Sequence, residues 1–255
     1  MNPLQKPSTT PRYEAVDTLR AAAMLWMAAF HFCFDLAHFG VWPQDFRNDP
    51  VWTTQRTLIL SLFLFCAGLG QAIALHQGQS FQRFTRRWLQ IAGCALLVSL
   101  GSFFMFPRSF IYFGVLHGMA VMLLVARFTA GGGAWLWLCG LVALALPVAA
   151  NHLLTGAWSH LAPTFDARTL NWLGLVARKP FTEDYVPIFP WLGVLWWGLA
   201  AGQWALRSGG GWLKAPLPKA FSPLAVLGRW SLSFYMVHQP VLIPIVMGLA
   251  WILKP

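Results

Sequence analysis

The chain has 255 residues, of which 57% are hydrophobic and only 10% charged. A soluble domain carries roughly 25% charged residues, and no soluble core of this size hides 15 Trp and 20 Phe, so the composition excludes a soluble globular protein and points to a bilayer as solvent. The net charge of +10 does not argue for nucleic acid, because the basic residues sit in short loops between apolar runs, where the positive-inside rule puts them.

Residues 1–16 are polar and read as a cytoplasmic segment, without the apolar stretch of a signal peptide; 17–255 reads as a single transmembrane domain. A spanning helix needs about 20 mostly apolar residues. Seven stretches qualify: 18–39, 56–76, 88–106, 110–128, 134–151, 188–206 and 224–252, the last long enough to break near Gly228 and Arg229. The linkers are basic (76–87), glycine-rich (129–133) or a Gly, Pro and Lys mixture (207–219). The longest connection, 152–187, holds the weakly apolar "LNWLGLV" and reads as an interfacial segment or lid, with an eighth span over 160–176 as the alternative. The expected fold is an all-α polytopic transmembrane helix bundle. With the N-terminus cytoplasmic, eleven Lys and Arg fall inside and seven outside, the sign the topology rule requires. Cys33, Cys66, Cys94 and Cys139 lie in apolar runs without paired spacing and read as small buried hydrophobes, with no disulfide or metal expected. The Trp-rich "WLGVLWWG" within 188–206 reads as lipid-facing bulk.

The first span, "DTLRAAAMLWMAAFHFCFD" (17–35), carries four residues foreign to hydrocarbon: Asp17, Arg20, His31 and Asp35. At about 100° per residue, Arg20 and His31 are eleven steps and close to three full turns apart, so they project from nearly one face, with both aspartates within roughly 40° of it. Such a stripe belongs against a bundle interior or a wet cavity, since facing lipid it costs several kcal/mol. At 1.5 Å per residue Arg20 and His31 stand about 16 Å apart along the axis and cannot touch. Arg20, with Asp17 beside it, reads as an anion or phosphate site at the inner end. His31 reads as a proton-handling residue past the midplane, with Asp35 at the i+4 position where side chains meet and a carboxylate fixes an imidazole's tautomer. The competing reading is a snorkelling arginine and a satisfied structural histidine.

Further along, Arg83, Arg86 and Arg87 at the inner end of the third span suit phosphate forks or ordinary positive-inside charge. His117 reads as mid-span between Gly114 and Gly118, in a site role or as a buried hydrogen-bonded histidine. At the outer mouth Asp184 suits an amine or sugar, and Trp191 a sugar ring or the interfacial belt. In "GRWSLSFYMVHQP" the residues Arg229, Ser231, Tyr235 and His238 form a polar cluster that can line a cavity opposite His31; Ser231 suits a helix cap, and Pro240 frees a carbonyl near His238 and kinks the helix.

The segment "RYEAVDTLRAAAMLWMAAFH" (12–31) resembles the opening of transmembrane acyltransferases, in particular bacterial relatives of the heparan-alpha-glucosaminide N-acetyltransferase catalytic domain, and the ten residues between Arg20 and His31 match the spacing of the related acyltransferase type 3 family. Four more stretches resemble the first family in order: 58–73, 110–121, 184–202 and 227–242. Ala21 departs from the glycine usual after the arginine. The resemblance implies a multi-pass protein of the bacterial inner membrane. It implies transfer of an acetyl or other acyl group from cytoplasmic acyl-CoA, typically acetyl-CoA, to an extracytoplasmic glycan-like amine or hydroxyl. It places His31 at the family's catalytic position, as general base or as carrier of an acyl-imidazole, with the base preferred. On this reading Asp35 assists His31. Arg20, Asp17, Arg83, Arg87 and Arg229 face the donor, and His117, Asp184, Trp191, Tyr235 and His238 the acceptor. The rival from the residues alone is a transporter or channel with a polar-lined path, and a third reading is an inert membrane partner. Oligomeric state and acceptor identity are not legible.

Overall fold

The computed structural model describes residues 12–253; most of the polar segment 1–16, including Lys6, and Lys254 lie outside the described residues. Eight helices carry the fold: α1 (Glu14–His38), α2 (Pro50–His76), α3 (Phe81–Met105), α4 (Val115–Thr129), α5 (Trp135–Thr155), α6 (Ile188–Arg207), α7 (Ser222–Arg229) and α8 (Ser231–Leu253). Their ends follow local chemistry. The Asp49 carboxylate accepts the Val51 amide while Pro50 opens α2. Ser80 accepts the Arg83 amide to start α3, and the chain leaves α2 through Gly78 at φ 66, a left-handed conformation that only glycine adopts freely.

Among the described residues six helical stretches are long and apolar enough to cross a membrane: α1, α2, α3, α5, α8, and α4 extended through the following turn to Gly132. The remaining expected span, 188–206, forms a helix, α6, 20 residues long; it falls outside that set and is the helix most enclosed by others. A helix walled in by helices has no need of lipid-like side chains, and close packing in a bilayer favours small ones. Along α6 this is visible at Gly193, Gly198 and Gly202. Gly198 packs on the Phe65 backbone of α2, Gly68 of α2 on the Leu195 carbonyl and Leu199 amide, and a methyl built on Gly193 would lie 2.6 Å from the Gly140 carbonyl oxygen of α5. The lipid-facing reading of "WLGVLWWG" is therefore overturned. Leu192 and Leu195 are buried, Trp191 and Trp196 pack on the core, and Trp196 donates to the Thr129 hydroxyl at 2.9 Å.

Two loops on the face opposite the N-terminus interlock. The Val186 amide donates to the Phe113 carbonyl at 3.1 Å and the Glu183 amide to the Ser109 carbonyl at 2.9 Å, and the Ser109 hydroxyl meets the Glu183 carboxylate. This pairing takes the 110–114 backbone out of the helix, so α4 begins five residues later than its apolar run suggested. The long connection holds no helix long and apolar enough to cross a membrane. It folds in single turns, Ser159–Leu161, Ala162–Asp166 and Asn171–Leu173. Buried Asn171 fastens it, donating to the Tyr112 hydroxyl at 2.9 Å and accepting from the Tyr185 hydroxyl at 2.6 Å through its carbonyl. On the N-terminal face, Arg127 donates to the Gln79 carbonyl and Gln203 to the Ala130 carbonyl, each at 2.8 Å. The expected break in the last span falls at Trp230, between α7 and α8, whereas α8 stays helical through Pro240 and Pro244. Of the cysteines, Cys66 is buried but Cys139 is exposed on the outside of α5.

Candidate active site

The polar stripe of α1 turns toward its neighbours. Asp17 and Asp35 are buried. Arg12 donates through Nε to Asp17 Oδ2 at 2.9 Å, and Arg20 through Nη1 to Asp17 Oδ1 at 3.0 Å. A carboxylate so placed repels phosphate; what Asp17 does is aim Arg20. Opposite the Arg20 guanidinium stands Gly70, where an added methyl would already lie 3.4 Å from Nη2.

Arg20 lines a cavity of about 430 Å³, together with Arg83, Arg86 and Arg87 of α3. Among the described residues no carboxylate lines it, so four guanidiniums share one space, of which Arg20 is ion-paired to Asp17, and their mutual repulsion favours an anion there. Along α2 the lining runs from Ala74 to Phe63, about 16 Å of depth. The lining also includes Leu116 in the first turn of α4 and Ser231, Leu232 and Tyr235 of α8. Arg229 is not part of this lining: it faces Glu14 at 3.9 Å.

One turn past Tyr235 lies His238, which the fold brings to His31 from 207 positions away, with His31 Nδ1 and His238 Nε2 2.7 Å apart. The two rings stack with centroids 5.0 Å apart and planes at 16°, and His238 Nδ1 lies 2.6 Å from the Tyr235 carbonyl oxygen. The expected pairing of His31 with Asp35 does not form. Position i+4 brings the two residues onto one face, but the Asp35 carboxyl lies against Gln239 and His38, and its Oδ2 is buried without a hydrogen-bond partner.

On the opposite face Asp184 accepts the Val115 amide at 2.8 Å and so caps α4. Burial pushes its carboxyl above the usual range, against the lowering effect of the Val115 amide, Lys179 and Arg56. Burial, with Arg56 beside it, holds Lys179 below its ordinary value. His117 sits in the first turn of α4, not mid-span, because α4 starts late. The Ser99 hydroxyl donates to the Ile111 carbonyl at 2.6 Å, so His117 Nε2 donates to Ser99 Oγ at 3.0 Å and its Nδ1 accepts the Gly114 amide at 3.3 Å. Both ring nitrogens are committed, and Trp191, packed on the core, is not open at a mouth.

The structure thus gathers Arg20, Arg83, Arg87 and Tyr235 at one cavity and His31 with His238 beyond it, while leaving Arg229 and Trp191 outside. Arg56, Lys179 and Ser99 escaped the sequence reading: the first two look like topology charges, and a lone serine in an apolar run announces nothing. The family model described as heparan-alpha-glucosaminide N-acetyltransferase, catalytic, matches residues 12–240, a stretch that includes both histidines. Neither the curated proteins nor the solved structures contain a match to this chain.

Proposed function

Because the chain belongs to the heparan-alpha-glucosaminide N-acetyltransferase catalytic family, we propose that it moves an acetyl group from acetyl-CoA, bound from the cytoplasm at the N-terminal face, to a hydroxyl or amine of a glycan-like acceptor on the other side of a bacterial inner membrane. The observation that carries this reading is the four-arginine cavity, free of carboxylates and running inward to Tyr235, one turn from the His238–His31 pair. The phosphates of coenzyme A are the anions such a cluster suits. Asp17 serves by holding Arg20 in place, and Arg83, Arg86 and Arg87 supply further donors. Arg20 and His31 are about 16 Å apart along α1, a span for the extended pantetheine arm, whose thioester end must pass Tyr235 to reach the pair.

In the reaction, the acceptor's oxygen or nitrogen attacks the thioester carbonyl while His31 takes its proton. The carbon–sulfur bond then breaks, and His31 returns that proton to the leaving thiolate, giving free CoA and the acetylated acceptor. Asp35, one turn further on with an unpaired carboxyl oxygen, is suited to hold a second polar group of the acceptor. Asp184, with Arg56 and Lys179, shapes the acceptor's approach.

The test is CoA release by the purified protein in detergent, with labelled acetyl-CoA and glucosamine as probe acceptor. Wild type should release CoA and form labelled product, and His31→Ala should lose both by at least about a hundredfold. Equal turnover in His31→Ala would overturn the proposal, and solute movement without thioester cleavage would replace it with transport.

A further inference from the structure

We infer that His238 is a positioning residue that fixes the tautomer of His31 and leaves His31 Nε2 as the bare nitrogen that takes the acceptor's proton. This rests on the reading of His31 as the base.

The argument starts from an atom that cannot donate. The Tyr235 carbonyl oxygen only accepts, so the 2.6 Å contact from His238 Nδ1 requires the proton to be on that nitrogen. In the neutral imidazole the other nitrogen, Nε2, then carries a lone pair. That lone pair faces His31 Nδ1 at 2.7 Å, so His31 must donate there. The neutral His31 ring is then protonated at Nδ1 and bare at Nε2. Among the described residues nothing hydrogen-bonds this Nε2.

The arrangement repeats the logic of an orienting carboxylate behind a catalytic histidine, with an imidazole anchored on a helix carbonyl in the carboxylate's place. It also fixes the path of the proton. When His31 picks up a proton at Nε2, its Nδ1–H keeps its acceptor, and the bond to His238 becomes charge-assisted. A proton passed on to His238 Nε2 would have nowhere further to go, because the Tyr235 carbonyl behind that ring does not take its Nδ1 proton away. It must leave by the way it came, from His31 Nε2 to the thiolate sulfur, and His238 holds the same proton throughout.

The fold sets this register with one close contact. Gly228 of α7 seats directly on the Asp17 backbone of α1, and after the break at Trp230 α8 runs beside α1, so that ten residues beyond the seat His238 meets His31.

Substitutions at His238 separate orientation from packing. Glutamine can place its side-chain oxygen where Nε2 stood, asparagine is too short to reach, and phenylalanine keeps the ring but lacks the acceptor. We expect His238→Phe and His238→Asn to lose kcat for CoA release on the order of a hundredfold with KM for acetyl-CoA within about twofold, and His238→Gln to recover most of the loss. In 15N-histidine spectra of the detergent-solubilised protein, His31 should show an unprotonated Nε2 in wild type and His238→Gln, and a mixture of tautomers in His238→Phe. Elution volume and thermal midpoint identify any variant that misfolds; a misfolded His238→Phe or His238→Asn leaves the wild-type tautomer and His238→Gln to decide. Wild-type kcat in a folded His238→Phe while His31→Ala is inactive would overturn the inference and spare the base. So would a protonated His31 Nε2 in wild type. Undiminished turnover in His31→Ala would bring down the functional reading and this inference with it.

Discussion

Gly198→Ala tests whether the bundle is held at the α2–α6 seam as the structure has it. The added methyl carbon would fall onto the Phe65 carbonyl oxygen, 2.9 Å from the Phe65 carbonyl carbon and 3.0 Å from its Cα. Carbon atoms rest at about 3.5–4.0 Å, and all three obstacles are backbone, so no side chain can swing aside. The helices must separate by roughly 0.5–1 Å, a gap that forfeits a quarter to a half of the dispersion energy along the contact. Overpacking of this kind costs about 1–3 kcal/mol, and for a chain of this size each kcal/mol moves the melting midpoint by about 2–4 °C. The same change at Gly93 of α3 supplies the control. A methyl there meets nothing within 4 Å, and replacing glycine by alanine inside a helix gains about 1 kcal/mol. One chemical change should therefore lower the midpoint at one site and hold or raise it at the other, measured by thermal unfolding in the same detergent. The effect should reach the donor site too, because Phe63, Ala67 and Gly70 of α2 form a wall of the cavity, and KM for acetyl-CoA should rise in Gly198→Ala. A midpoint for Gly198→Ala equal to or above that of Gly93→Ala would refute the close seam.

Arg20→Ala should raise the dissociation constant for acetyl-CoA about tenfold, the loss of a charged hydrogen bond worth about 1.5 kcal/mol, with kcat within about threefold; calorimetry showing unchanged donor affinity would remove Arg20 from the donor site. His117→Ala should lower the thermal midpoint by the equivalent of about 1–3 kcal/mol, because it strands the Gly114 amide and Ser99, and leave both KM values alone; a raised KM for acceptor would show that the ring does more than tie α3 to α4. Asp184→Ala should lose the α4 cap, about 1 kcal/mol, whereas Asp184→Asn keeps an acceptor for the Val115 amide and should hold or raise the midpoint at neutral pH. The Asp184 carboxyl is raised in the folded protein, so the folded state binds the proton more tightly than the unfolded chain. Its contribution to stability is therefore best at low pH and worsens as pH rises through the ordinary carboxylate value near 4. The stability of Asp184→Asn relative to wild type should accordingly grow from pH 4 upward, and a gap that shrinks over that range would contradict the burial of this group.

The sequence disclosed what a single helix can encode. Helical periodicity placed Asp17, Arg20, His31 and Asp35 on one edge, and a hydrocarbon solvent forced that edge inward. It could not disclose His238 as the partner of His31, since the two are 207 positions apart and meet only because α7 seats on α1. Asp35 was misjudged for a related reason: i+4 spacing brings two side chains within reach but does not decide against a third, and Gln239 from α8 lies closer to hand. The reading of "WLGVLWWG" failed because hydropathy describes the residues of a helix and not its neighbours, and α6 is surrounded by helices. The start of α4 was misplaced because 110–114 is apolar for the sake of a loop pairing with 182–186, which local pattern does not register.

The spacing of Arg20 and His31 has a consequence that composition alone does not carry. Eleven helical steps return a side chain to nearly the same face, whereas ten or twelve would swing it by about 100°. With α1 continuous from Glu14 to His38, the arginine that faces the cavity and the histidine that faces α8 are held on a rigid rod at fixed length and fixed angle. The second rod is α8, whose zero point is the Gly228 seat on Asp17. Asp17 joins the two: its carboxylate holds Arg20, while its backbone receives Gly228. A displacement at Asp17 would thus disturb the donor arginine through the side chain and the histidine pair through the register of α8, although Asp17 touches neither His31 nor His238. On the proposed reaction, with the donor gripped at its phosphates and attacked at its far end, that coupling would set the distance between the grip and the base, and the fold secures the coupling with one buried carboxylate and one glycine.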